Sequence, residues 1–175
     1  TPGNLTCTQL AGPLGAPTTC TFTNLTNGIG YSFTVVAFNV LGSSLASLPS
    51  SRVTPAGVPF APDFASAVRG DGEATVSWTA ANANGSPITS YTVVSTPDNK
   101  SCTTSGASCV VKGLTNGTTY NFSVSANNAV GVSTSATPTN AIKAAGRPLA
   151  PVDVQATDGN QLVHLSWTAP SDNGE

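Results

Sequence analysis

Apolar and polar residues alternate one by one along most of this chain. Tyr120-Asn121-Phe122-Ser123-Val124-Ser125-Ala126 sends its first, third, fifth and seventh members to one side and the polar ones to the other. Tyr31-Ser32-Phe33-Thr34-Val35, Glu73-Ala74-Thr75-Val76-Ser77-Trp78 and Gln161-Leu162-Val163-His164-Leu165-Ser166-Trp167 follow the same rule. Successive side chains of an extended backbone point to opposite faces. Period two therefore predicts strands with one buried face, as in antiparallel sheets. Ile88 to Ser95, rich in Tyr and Val, reads as a further strand. Asn-Gly, Asp-Gly and Pro-containing turns separate these runs, and no stretch combines helical spacing with caps. Short strands at regular intervals over about 90 residues predict an all-β fold, a β-sandwich.

The pattern also repeats. A shift of 89 residues carries Trp78 onto Trp167, Tyr31 onto Tyr120, Cys20 onto Cys109 and Pro59 onto Pro148. Leu25-Thr26-Asn27-Gly28 returns as Leu114-Thr115-Asn116-Gly117, and Ser77-Trp78-Thr79-Ala80 as Ser166-Trp167-Thr168-Ala169. A fixed period marks a tandem array, and one this long fits a string of small domains rather than a solenoid. Thr1-Pro2-Gly3-Asn4 aligns with Thr96-Pro97-Asp98-Asn99, and Asn173-Gly174 with Asn84-Gly85. Both ends of the chain thus align with the middle of a unit. The expected division is the C-terminal part of one module in residues 1–57, a complete module in 58–146 and the N-terminal part of a third in 147–175. Only the middle module is expected to be a self-sufficient sandwich.

Three positions distinguish among sandwiches. Trp78 sits on the second strand of the complete unit, where an immunoglobulin domain carries its tryptophan on the third. The residue two after Tyr120 is Phe122 (Phe33 one unit earlier), where an immunoglobulin domain has its second core cysteine. The unit opens on Pro59 and Pro62, repeated as Pro148 and Pro151. With Ile88-Thr89-Ser90-Tyr91, Leu114 six residues before Tyr120, and then Asn128 and Gly131, this set resembles the fibronectin type III family across essentially the whole chain. The resemblance implies tandem fibronectin type III (immunoglobulin-like) β-sandwiches, one complete and two truncated. The Ala, Thr, Ser and Asn-rich style is similar to modules of bacterial secreted and cell-surface proteins. In that frame Tyr120 is a tyrosine corner, its hydroxyl bonded to backbone near Leu114. Trp78, Tyr91, Leu114, Tyr120, Phe122, Tyr31, Phe33 and Trp167 are expected to form the structural core. The inward registers of Tyr120, Phe122 and Trp78 argue against a sugar-stacking platform.

The family's usual pattern has no cysteines here, so Cys7, Cys20, Cys102 and Cys109 need their own account. Four cysteines allow three connectivities, and the repeat selects Cys7 with Cys20 and Cys102 with Cys109. Disulfides imply an oxidising compartment. The competing zinc site would need two close pairs in one domain, whereas these pairs sit in different modules with no nearby histidine. The expectation is no metal and no cofactor. If bridged, Cys102 and Cys109 are expected to lie across the hairpin joining their strands, with Cα atoms within about 7 Å.

Arg69-Gly70-Asp71 is the tripeptide that binds integrins in some fibronectin modules, from the loop between the last two strands. Here it falls between the first and second, and its counterpart in the next unit is Asp158-Gly159-Asn160. It reads as a turn in which Gly70 supplies a positive φ, with adhesion as the alternative. Asn4, Asn24, Asn84, Asn99, Asn116 and Asn121 each open an Asn-x-Ser/Thr sequon. Ser, Thr and Asn are common enough here to produce such triplets by chance. His164, the single histidine, is expected on the solvated face of its strand. Without a second histidine or a paired carboxylate it makes no hydrolytic site.

Charge narrows the class last. Charged residues are 8% of the chain, against about 25% in ordinary domains. A net charge of −2 offers no basic stripe for nucleic acid, and no apolar run is long enough to insert in a membrane. The expected function is a non-catalytic extracellular or cell-surface spacer or adhesion array, part of a larger protein. Its partners would be neighbouring modules of the same polypeptide, other proteins or surface polysaccharide. The alternative is a set of accessory linker modules in a secreted polysaccharide- or polymer-degrading enzyme.

Overall fold

The computed structural model describes residues 5–10, 18–136 and 140–175. The sequon at Asn4 and the segment aligned through Thr1 to Asn4 lie outside them. The chain divides into two units, Thr1–Gly57 with Asn84–Pro87, and Val58–Ala83 with Ile88–Glu175.

The smaller unit holds two short antiparallel strands, β1 (Phe38–Asn39) and β2 (Gly42–Ser43). The strand expected at Tyr31–Val35 takes another form. Tyr31 bridges Val53, and the pairing then advances two residues on one side for three on the other. Ser50, Ser47 and Ser44 donate their N–H groups to the carbonyls of Phe33, Val35 and Ala37. Each serine Oγ accepts the N–H of that same partner at 3.0–3.1 Å and donates to the carbonyl of the residue after the serine. A two-against-three count cannot build a regular ladder, so the alternation here does not continue as a strand. The hydroxyls supply the acceptors that the missing carbonyls would have supplied. Tyr31 is buried, whereas Phe33 is half-buried and stacks on Phe22 with ring centroids 4.6 Å apart. Cys7 and Cys20 are bridged, Cα atoms 6.4 Å apart.

The larger unit contains the sandwich. One sheet orders β3 (Asp63–Arg69), β4 (Glu73–Thr79) and β7 (Ser108–Lys112) as β3-β4-β7. The other orders β5 (Ile88–Thr96), β6 (Ser101–Thr104), β8 (Thr119–Asn128) and β9 (Ile142–Lys143) as β6-β5-β8-β9. All neighbours run antiparallel. Along β8 every second residue from Tyr120 to Asn128 is buried, as the alternation predicts. Ala65, Val76, Trp78 and Val111 from the first sheet meet Tyr91, Val93, Phe122 and Val124 from the second in one buried cluster. The rings of Trp78 and Tyr91 lie 5.3 Å apart, tilted by 52°, an aromatic contact that adds to plain area burial. The edge beside β8 uses the same two-against-three step. Val124 pairs with Ala136, and the buried Ala126 N–H donates to Ser133 Oγ at 2.9 Å. Ser133 is the 89-residue counterpart of Ser44.

Two expectations need correcting. Cys102 and Cys109 are bridged, Cα atoms 6.3 Å apart, but they do not face each other across a hairpin. β6 pairs with β5 and β7 with β4, so the bond joins the edges of two different sheets. Trp167 is not core. It lies on β11 (Leu162–Thr168), which among the described residues pairs only with β10 (Val152–Gly159), and both strands are exposed throughout. Trp167 is 58% exposed where Trp78, in the same Ser-Trp-Thr-Ala sequence, is 6% exposed. The difference is the opposing layer. Trp78 meets the β5 and β8 sheet, and residues 147–175 contain no counterpart of those strands. Among the described residues no helix is long and apolar enough to cross a membrane.

Candidate functional site

The cysteines and the tyrosine hydroxyls are engaged by the fold. Tyr120, fully buried, accepts the Thr115 N–H on its hydroxyl at 3.0 Å and donates to Asp98 Oδ2 at 2.6 Å. Tyr31 accepts the Thr26 N–H at 3.0 Å, the same bond 89 residues earlier. Tyr91 accepts the Ala81 N–H at 3.1 Å. These are all three tyrosines of the chain, and each hydroxyl satisfies a loop N–H that no strand partner reaches. Leu114 is buried, and its N–H donates to Gly72 O at 2.9 Å. Asn128 turns the chain after β8, its Oδ1 accepting the N–H groups of Val130 and Gly131. All four cysteines are bridged. His164 is exposed. Among the described residues no group of three or more His, Cys, Asp or Glu is placed to hold a metal ion.

Arg69 ends β3, Gly70 and Asp71 lie in the turn that leads to β4, and each of the three has a partner. The guanidinium of Arg69 pairs with Glu175 at 2.6 Å, both side chains about half-exposed. Gly70 donates its N–H to Glu73 O at 2.8 Å and accepts from the Ala145 N–H at 3.3 Å. Asp71 Oδ1 accepts from Asn116 Nδ2 at 2.6 Å. The left-handed residue of this turn is Gly72 (φ 66°), not Gly70 as the turn sequence suggested. Asn116 Oδ1 in turn accepts the Gly72 N–H at 2.9 Å.

A two-sheet sandwich with a tyrosine corner and a second-strand tryptophan narrows the candidates to a few families. The profile of the fibronectin type III domain family matches residues 59–142. These residues are a fibronectin type III domain. Chitinase A1 of Niallia circulans is 32% identical to this chain over 143 residues, which is 73% of the chain and 20% of that protein. The chain therefore spans about a fifth of the curated relative it matches. The crystal structure of the rat CD45 extracellular region, domains d3-d4, superposes with a TM-score of 0.58 at 17% identity. That match covers 82% of this chain and 77% of the other and concerns the fold alone.

The fibronectin type III domain places Tyr120 as its sequence implied, and the hydroxyl is where its removal is felt. Tyr120→Phe leaves the Thr115 N–H without an acceptor while keeping the ring in the core. We expect a loss of about 1–3 kcal/mol, the cost of an unsatisfied buried donor, read as a lower denaturant midpoint with an unchanged slope. Alternation and motif spacing do not single out asparagine: in the sequence Asn116 is a repeat marker and a sequon, and Asn173 a repeat marker. A signal was present: Asn-Gly occurs at 27–28, 84–85, 116–117 and 173–174, with the members of each pair separated by 57 residues.

Proposed function

We propose that this chain is a non-catalytic spacer segment of a larger secreted or cell-surface protein, built from consecutive fibronectin type III modules divided near residues 57 and 146. The observation that carries the reading is the commitment of its cysteines and tyrosine hydroxyls to structure. Every cysteine is bridged, and every tyrosine hydroxyl caps a backbone N–H. Paired cysteines in so small a framework also fit an oxidising, extracytoplasmic setting. Ser, Thr and Asn, rather than charge, keep such a surface hydrated.

A second reading shares the fold and differs in the parent. The similarity to Chitinase A1 favours accessory modules in a secreted polymer-degrading enzyme. The 175-residue chain is incubated with insoluble chitin and cellulose, and supernatant and pellet are assayed for protein and released sugar. A spacer stays in the supernatant and releases nothing. Retention above an albumin control, or any hydrolysis, would overturn the proposal. Chitin hydrolysis by the intact protein secreted from its host, together with an inert 175-residue chain, would select the second reading.

A further inference from the structure

The four Asn-Gly dipeptides meet two by two. Within the larger unit, Asn116 Nδ2 donates to Asn173 Oδ1 at 2.7 Å, and the Gly146 N–H donates to Asn173 O at 3.0 Å. Asn173 Nδ2 donates to Arg147 O at 2.9 Å. Gly174 (φ 102°) lies flat on the Asn116-Gly117 turn. A Cβ there would stand 2.5 Å from Gly117 N and 2.8 Å from Ala144 O. Within the smaller unit the same set recurs 89 residues earlier. Asn27 Nδ2 donates to Asn84 Oδ1 at 3.0 Å, and the Gly57 N–H to Asn84 O at 2.9 Å. A Cβ on Gly85 (φ 91°) would stand 2.6 Å from both Gly28 N and Pro55 O. Asn84 and Asn173 share a left-handed backbone, φ 51° and 55°.

We propose that this contact is a module-to-module recognition surface. The Leu-Thr-Asn-Gly turn of one module is the receptor, and the Asn-Gly loop of the following module of the same repeat is its partner. The chemistry explains both residues. Facing glycines without Cβ atoms let two backbones approach, and asparagine tolerates the left-handed turn while offering a donor and an acceptor. Asn116 is used fully on its donor side, giving one amide hydrogen to Asn173 and one to Asp71 while accepting from Gly72. The acid of the Arg-Gly-Asp tripeptide is thereby part of the junction. The burial that these contacts produce is confined to the dipeptide. From 148 to 175 every residue is exposed except Pro170, Asn173 and Gly174, two of which form the dipeptide on the turn.

The proposal rests on the reading of the chain as consecutive modules, and its test reads one amide in the 175-residue chain. The Gly146 N–H has its acceptor in Asn173 O, so its hydrogen exchange reports the junction. Val124 and Trp78 N–H groups, bonded to Ala136 O and Ala107 O, report the sandwich. In the unaltered chain Gly146 is expected to exchange at least ~10-fold more slowly than an unstructured amide. Gly174→Val brings a side chain onto the Gly117 and Ala144 backbone and is expected to abolish that protection while Val124 and Trp78 keep theirs. Asn116→Asp, which turns the donor into a second carboxylate beside Asp71, is expected to do the same. Should Asn116→Asp also deprotect Val124, Gly174→Val decides, because Gly174 lies outside the core. Unprotected Gly146 in the unaltered chain, or protection that survives Gly174→Val, overturns the proposal. Polymer binding in the sedimentation assay would sink the spacer reading and leave this amide untouched.

Discussion

Trp78→Ala is expected to lower the unfolding free energy by about 3–5 kcal/mol, while Trp167→Ala is expected to stay within about 0.5 kcal/mol. The two tryptophans share a local sequence and strand register, so propensity and alternation predict equal effects. Their surroundings differ. Trp78 is packed against Tyr91 and the buried cluster between the two sheets, and its truncation leaves a cavity that the neighbouring strands cannot collapse to fill. Trp167 stands more than half in solvent on a two-stranded ribbon, so there is little buried area to lose. Guanidinium unfolding of both variants, followed by circular dichroism, gives the comparison. Similar midpoint shifts would mean that residues 147–175 bury Trp167 after all.

Removing the bridge between Cys102 and Cys109, by replacing both with serine, is expected to cost about 2–5 kcal/mol, a range that includes the value of about 2.5 from loop-closure entropy in so short a loop. The bond matters beyond its short loop because of where it lies. β6 and β7 are edge strands of opposite sheets, and Cys102 and Cys109 are partly buried against the core cluster. Their link holds the two layers together where no ladder hydrogen bonds run between them. Thermal unfolding with and without reductant measures the change, and the Cys102→Ser, Cys109→Ser double variant isolates this bridge, since Cys7–Cys20 is the bond left in it to reduce. A melting temperature unmoved by reductant would show that the bridge adds nothing to the folded state. Cys7 and Cys20 remain in that variant as an internal control for the reagent.

Much of this protein was legible in its residues because strands with one wet face carry their own signature. Alternation from Tyr120 to Ala126 marked β8 and its buried side, the 89-residue repeat paired the cysteines, and the family resemblance implied a Tyr120 hydroxyl bond to backbone near Leu114, which the structure makes at Thr115. These features are local or repeated, so a one-dimensional pattern suffices to record them. Tertiary structure decided the rest. Alternation names a face but not what covers it, and for that reason Trp78 is buried and Trp167 is not. The strand beside Tyr31 gave way to a serine-stepped edge because pairing count is settled by the partner segment, here Ser44, Ser47 and Ser50, three residues apart. The Cys102 and Cys109 turn looks in sequence like any hairpin. Whether its strands pair with each other or with β5 and β4 depends on which neighbours the folded chain sets beside them. Arg69-Gly70-Asp71 reads alone as a free turn. Only folding brings Asn116, Ala145 and Glu175 to it, since all three lie more than forty residues away along the chain.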